Sequence, residues 1–234
     1  MLAVFKREFK AYFNSPIAYI LIGLFMLLSS YFFLSNLSTQ SADFNNNLSS
    51  MSFLLLFIVP ILTMRIIAEE RKNGTEVMLI TSPVSVSKIV MGKYLASVSV
   101  FLVMTAVSFI FPIIIIIFGQ PAMAKLIGGY VGFILLGCAF IAIGVFASSR
   151  TESQVVAAVI SFVILLTMWI MDFLSSFTSG LLAKVLDWFS LYARYVDFSE
   201  GILSLSPIIY YLSFCFIFVF LTIRIIEKRR WSQG

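Results

Sequence analysis

No histidine occurs anywhere in this sequence, and its two cysteines, Cys138 and Cys215, both sit inside apolar runs. A disulfide framework, a Cys/His zinc site and histidine-based acid–base or nucleophilic catalysis therefore have no residues to work with. Charge is scarce as well. Asp, Glu, Lys and Arg make up 12% of the 234 residues, about half the share a soluble domain carries. Such a composition excludes a disordered segment, a nucleic-acid-binding domain and a water-soluble globule. With 61% hydrophobic residues and a mean hydropathy of +1.05, what these absences leave is a polytopic membrane protein.

A charge at the centre of an inserted helix costs about 2.5–3.5 kcal/mol, so long charge-free windows locate the spans. Six windows of 19 or more residues exist, at 11–42, 44–64, 94–124, 126–149, 153–171 and 201–223. A hydrocarbon core about 30 Å thick needs about 20 helical residues, so each window holds one crossing. The expected helices lie near 16–35, 51–68, 95–118, 127–147, 154–173 and 206–226. Ser15-Pro16, Ser82-Pro83 and Ser206-Pro207 each place a capping hydroxyl before a proline suited to a first helical position. Thr151 and Gln154 have the spacing of a capping box before the fifth run. Pro60 and Pro112 fall inside spans and predict local kinks. Glycines 128, 129, 132, 137 and 144 in span four predict close approach of helix backbones.

An even span count puts both termini on one side. Thirteen of the 16 basic residues fall on that side: Lys6, Arg7, Lys10, Arg65, Arg71, Lys72, Lys88, Lys93, Arg150, Arg224, Lys228, Arg229 and Arg230. Lys125, Lys184 and Arg194 fall opposite. The positive-inside rule makes the termini and the 65–93 loop cytoplasmic. The net charge of +5 is then accounted for by topology and anionic membrane lipid, with no nucleic acid needed. The first apolar run is too long for the core of a cleaved signal peptide.

Three stretches outside the spans carry information. Residues 1–14 predict an interfacial amphipathic helix, because Leu2, Phe5, Phe9, Tyr12 and Phe13 share one arc and Lys6, Arg7, Glu8 and Lys10 lie outside it. Residues 69–91 form a cytoplasmic loop. Helix two should carry Arg71 and Lys72 at its negative end and stop at Gly74. Thr75 should then cap a short helix over 76–81 before Ser82-Pro83 restarts the chain. Val77, Met78, Leu79 and Ile80 have no obvious core there, so they either dock a protein or tuck against the membrane face of the same chain. The outer segment 174–205 is apolar enough (Leu181, Leu182, Val185, Leu186, Trp188 and Phe189) to predict an amphipathic or re-entrant helix, with Trp188 and Tyr192 as belt aromatics.

No mid-bilayer charge is present to couple transport to ions, and no phosphate-binding G-x-x-x-x-G-K-[S/T] loop occurs. Gly92-Lys93-Tyr94 lacks both the upstream glycines and the hydroxyl. An enzyme reading has nothing to rest on, and any energy source lies outside the chain.

The run Glu69-Glu70-Arg71-Lys72-Asn73-Gly74-Thr75-Glu76, continuing through Thr81-Ser82-Pro83-Val84 to Gly92-Lys93-Tyr94-Leu95, resembles the loop after span two in type-2 ATP-binding-cassette (ABC) permeases. Within that family it is most similar to the gliding-motility-associated subgroup. Phe146–Ala158, and the closing pattern from Phe198-Ser-Glu-Gly201 through Tyr210-Tyr211 to Glu227-Lys228-Arg229-Arg230-Trp231, resemble the same family. The likeness runs the length of the chain.

The resemblance implies an all-α integral membrane half-transporter with six transmembrane helices, working as an exporter beside a second permease subunit, a copy or a paralogue. It implies no cofactor on this chain, with ATP and Mg held by a separate pair of ABC ATPase subunits. The loop after span two would be the coupling helix, contacting the ATPase through Glu69, Glu70, Arg71, Gly74, Thr75, Glu76, Val77, Leu79, Ile80, Ser82 and Pro83. A non-transporting membrane scaffold or immunity-type protein recruiting a partner through the same loop is the alternative. The substrate, and the helix faces that line its path, are not specified by the residues.

Overall fold

The computed structural model describes residues 1–38, 44–76, 84–119, 121–175, 177, 178, 180, 190–202 and 204–232. Among them the chain is helical, with no strand. In order the helices are α1 (Leu2–Asn14), α2 (Pro16–Ser38), α3 (Asn45–Thr63), α4 (Ala68–Lys72), α5 (Val86–Ser108), α6 (Ile110–Phe118), α7 (Met123–Arg150), α8 (Gln154–Ser175), α9 (Leu191–Ser199) and α10 (Leu205–Ser232). Six continuous or once-broken helical stretches are long and apolar enough to cross a membrane: Pro16–Ser38, Asn45–Lys72, Val86–Phe118, Met123–Arg150, Gln154–Ser175 and Leu205–Arg230. This is an all-α, multi-pass membrane protein.

Helix α7 is the axle of the bundle. Its most apolar window is 72% buried, against 17% for α8 and 22% for α10, and it packs on α3, α5, α8, α9 and α10. The glycines read from the sequence explain how it gets so close. A methyl group at Gly137 would overlap the Phe101 ring of α5, and one at Gly144 would overlap Thr63 of α3. Helix α9 is held at the far end by Asn45, whose amide donates to the carbonyls of Lys125 (3.2 Å) and Ser199. Tyr211 donates to the Leu191 carbonyl at 2.6 Å.

Local signals were followed unevenly. Helix α2 starts at Pro16 as expected, but the Ser15 hydroxyl turns back to the Tyr12 carbonyl (3.1 Å) and closes α1. Helix α10 starts one residue before Ser206-Pro207, at Leu205. The Thr151/Gln154 capping box is replaced: Ser153 caps α8 by accepting from Val156 N–H, while Thr151 accepts from Ser153 N–H. Pro112 acts as predicted. A proline cannot donate to the carbonyl four residues back, and the chain breaks between α5 and α6 at Phe109, with the freed Ser108 carbonyl accepting from the Tyr130 hydroxyl (3.4 Å). Of the outer segment, residues 181–189 lie outside the described residues. Tyr192 is half-buried against Trp169, ring centroids 4.2 Å apart.

Candidate functional site

Both ends of the chain meet the stretch between α3 and the loop that follows it. Helix α3 ends at Thr63, residues 64–67 form turns, and α4 resumes at Ala68. Pro60 predicts a kink, yet its own carbonyl still accepts from Met64 N–H (2.9 Å). The break falls one turn later. Ile66 N–H bonds the Thr63 carbonyl at 3.2 Å in a tighter turn, which leaves the Leu62 carbonyl and the amides of Ile67 and Ala68 without their usual helical partners.

Side chains from three other helices take up these groups. Tyr12 of α1 donates to the Leu62 carbonyl at 2.7 Å. Ser148 of α7 donates to the Met64 carbonyl (3.0 Å) and accepts from the amides of Ile67 and Ala68, both at 3.1 Å. Lys93 of α5 donates to the Ile66 carbonyl at 2.8 Å. A buried break with orphaned amides would be destabilising, and here these groups are partnered by α1, α5 and α7. The base of the loop is thus indexed to each of those helices.

Lys93 also carries the first of two ion networks. Its side chain is 2% exposed and lies 3.2 Å from Glu8 and 2.8 Å from Glu70. Arg7 reaches Glu70 at 2.8 Å from the same turn of α1. Gly92 lets α1 lie close enough for this, since a methyl there would press on Val4. Burial opposes ionisation of Glu8, but Lys93 and Arg7 outweigh it and hold the carboxyl below its ordinary value. Glu69 borders the same cluster, in a cavity of about 310 Å³ that also touches Arg65 and Thr75.

The second network sits where the loop departs. Glu76 bridges Arg71 (3.5 Å) and Arg229 of α10 (3.2 Å). Arg71 also reaches Glu152 at 2.8 Å, and Arg229 donates to the Ser149 carbonyl. Asn73 ends α4 and Gly74 adopts φ +69°, a conformation glycine takes readily. The Thr75 hydroxyl donates back to the Glu70 carbonyl at 3.3 Å. Of the expected site residues, Glu70, Arg71, Gly74, Thr75 and Glu76 are brought together here, with Glu69 alongside. Val77, Leu79, Ile80, Ser82 and Pro83 lie outside the described residues.

The three sequence blocks that carry the family resemblance therefore converge in space: Arg71 and Glu76 from the loop, Ser149 and Glu152 from the α7–α8 turn, Arg229 from the closing helix. The family model described as ABC-2 family transporter protein matches residues 2–227. The chain belongs to the ABC-2 transporter family. Comparison with curated proteins returns no match. Lys93, Glu8, Arg7, Arg229, Glu152 and Ser148 join the site of this ABC-2 protein without having been singled out as site residues. Lys93, Ser148, Glu152 and Arg229 stand inside the resembling blocks, which was the signal available.

Proposed function

We propose that this ABC-2 protein is the permease half of an exporter, driven by a separate pair of ABC ATPase subunits and working beside a second permease subunit. The observation that carries the reading is the broken helix at 64–67, whose backbone is gripped by Tyr12, Lys93 and Ser148. A loop anchored to one helix alone would bend when pushed. This one leaves a base shared among α1, α3, α5 and α7, with Glu76 tied to α10, so force applied to residues 77–83 reaches five helices.

In this reading residues 69–83 form the coupling segment. Val77, Leu79 and Ile80 enter a cleft on the ATPase, while Glu69, Glu70 and Glu76 orient the segment. The termini face the cytoplasm, as the 13-to-3 division of basic residues supports. Helix α1 lies in the cytoplasmic headgroup layer, with the Phe5, Phe9 and Phe13 row along it. ATP and Mg belong to the partner, and the sequence blocks favour the gliding-motility-associated subgroup.

The test is co-reconstitution with the cognate ATPase in liposomes. Val77→Asp and Leu79→Asp put an unpaired charge into an apolar contact and should lower permease-stimulated ATP hydrolysis by roughly tenfold or more, with the permease still inserted. Full stimulation in both variants refutes the coupling role. Absence of both flux and stimulation in the unaltered complex would favour the scaffold alternative.

A further inference from the structure

A groove of about 540 Å³ opens between α7, α8 and α10, and no part of the proposed coupling role uses it. Arg150, Arg224 and Lys228 stand at its mouth, and Phe146, Ile160, Leu221 and Ile225 line it. On α7, Phe146 precedes Arg150 by one turn; on α10, Leu221 precedes Arg224 and Lys228. Both helices run toward the end where the chain's termini lie, so Arg150, Arg224 and Lys228 lie nearer that end than Phe146 and Leu221, with Ile225 between Arg224 and Lys228. Leu221, Arg224, Ile225 and Lys228 form one stripe at helical spacing.

The charge is not consumed within the protein. Arg150 and Lys228 are exposed and make no ion pair among the described residues. Arg224 is 65% exposed, with Glu227 at 3.4 Å and the Phe220 ring centroid at 4.9 Å. Three cations against one carboxylate leave an excess of positive charge. Above the rim the outer face of α10 continues apolar, with Ile217 51% and Leu221 40% exposed. A cationic rim over an exposed apolar stripe, at the end of a membrane helix, matches a molecule with an anionic head and a hydrocarbon tail.

We infer that this groove is a binding site for one anionic glycerophospholipid, its phosphate held by Arg150, Arg224 and Lys228 and an acyl chain lying along Leu221 and Ile217. The inference does not depend on the transport role. An exposed apolar face alone would fit ordinary bulk lipid. The cations at its edge are what select an anionic headgroup.

The test uses the full-length purified chain in detergent, titrated with dioleoyl phosphatidylglycerol or dioleoyl phosphatidylcholine and followed by native mass spectrometry. The unaltered protein should retain phosphatidylglycerol in preference. Arg150→Gln with Lys228→Gln should weaken that binding roughly fivefold for each cation removed, leaving phosphatidylcholine binding unchanged as the control for folding. Arg150→Lys with Lys228→Arg should keep the preference, and Lys6→Gln with Lys10→Gln, exposed cations of α1, should not alter it. Equal retention of the two lipids overturns the site, as does an unchanged preference in the double glutamine variant. Loss of the preference in the α1 variant would mean a diffuse basic surface and no groove site. Displacement of the lipid by millimolar inorganic phosphate alone would reduce it to a simple anion site and overturn the lipid assignment.

Discussion

The two ends of the bundle are built by different physics. At the end bearing the termini, α3 breaks, its loose backbone groups are gripped by Tyr12, Lys93 and Ser148, and a lysine is almost fully buried between two carboxylates. At the far end, α9 folds onto α7 and α8 through buried Leu191, Tyr195 and Phe198. Its polar contacts include hydrogen bonds from Asn45 and Tyr211, the Ser190 hydroxyl donating to Asp172 (3.5 Å), the Arg194 guanidinium over the Tyr210 ring (5.1 Å to the centroid) and an exposed pair, Lys125–Glu200 at 3.0 Å. Ionic contacts between helices are specific in direction and partner, whereas apolar packing tolerates small slides. The difference teaches where positions are fixed: the loop end holds one register among five helices, and the far end is held mainly by shape.

Three substitutions would break or sharpen that contrast. The largest effect should come from Lys93→Met. It leaves Glu8 and Glu70 sharing Arg7 alone in a mostly buried site and orphans the Ile66 carbonyl. Removing one partner of a buried ion network costs about 3 kcal/mol, so melting in detergent should fall by several degrees, with Lys93→Arg restoring part of it. If Lys93→Met melts with the unaltered protein, the loop end is not fixed by its charges and the contrast collapses.

Next comes Ser148→Ala. One hydroxyl serves Met64, Ile67 and Ala68 at once. Its loss leaves buried backbone groups unpaired, at about 1–3 kcal/mol. The side chain is small, so little packing is lost with it. Amide exchange at Ile67 and Ala68 should accelerate, while exchange in α9 stays as it was. Equal acceleration at both places would mean that the break and the far end open as a single unit.

The sequence made some of this legible and hid the rest for a physical reason. Span number follows from charge-free length, a property of contiguous residues, and the six windows correspond to six membrane-length stretches. The glycines of α7 were equally readable, because absence of a side chain has the same meaning whichever helix comes near. Glu70, Arg71 and Glu76 were picked out by the loop's resemblance. Their partners were not, since Arg7 lies 63 residues from Glu70, and Arg229 lies 153 from Glu76. Lys93 read as one more loop cation because nothing beside it in the chain reveals that α1 will cover it. The break at 64–67 was displaced from Pro60 for the same cause: its stabilising groups belong to α1, α5 and α7.

The smallest effect tests the far end. Glu200→Gln removes the carboxylate that faces Lys125, but the two side chains are 60% and 40% exposed. Water and salt screen such a pair, and its loss should change stability by no more than about 0.5 kcal/mol. Melting of Glu200→Gln should therefore overlay that of the unaltered protein at 0.5 M salt and fall only slightly below it at low salt. A drop approaching that of Lys93→Met would place the ionic clamp at both ends. It would also make the α9 face as fixed in register as the loop base, and the asymmetry between a gripped end and a packed end would have to be given up.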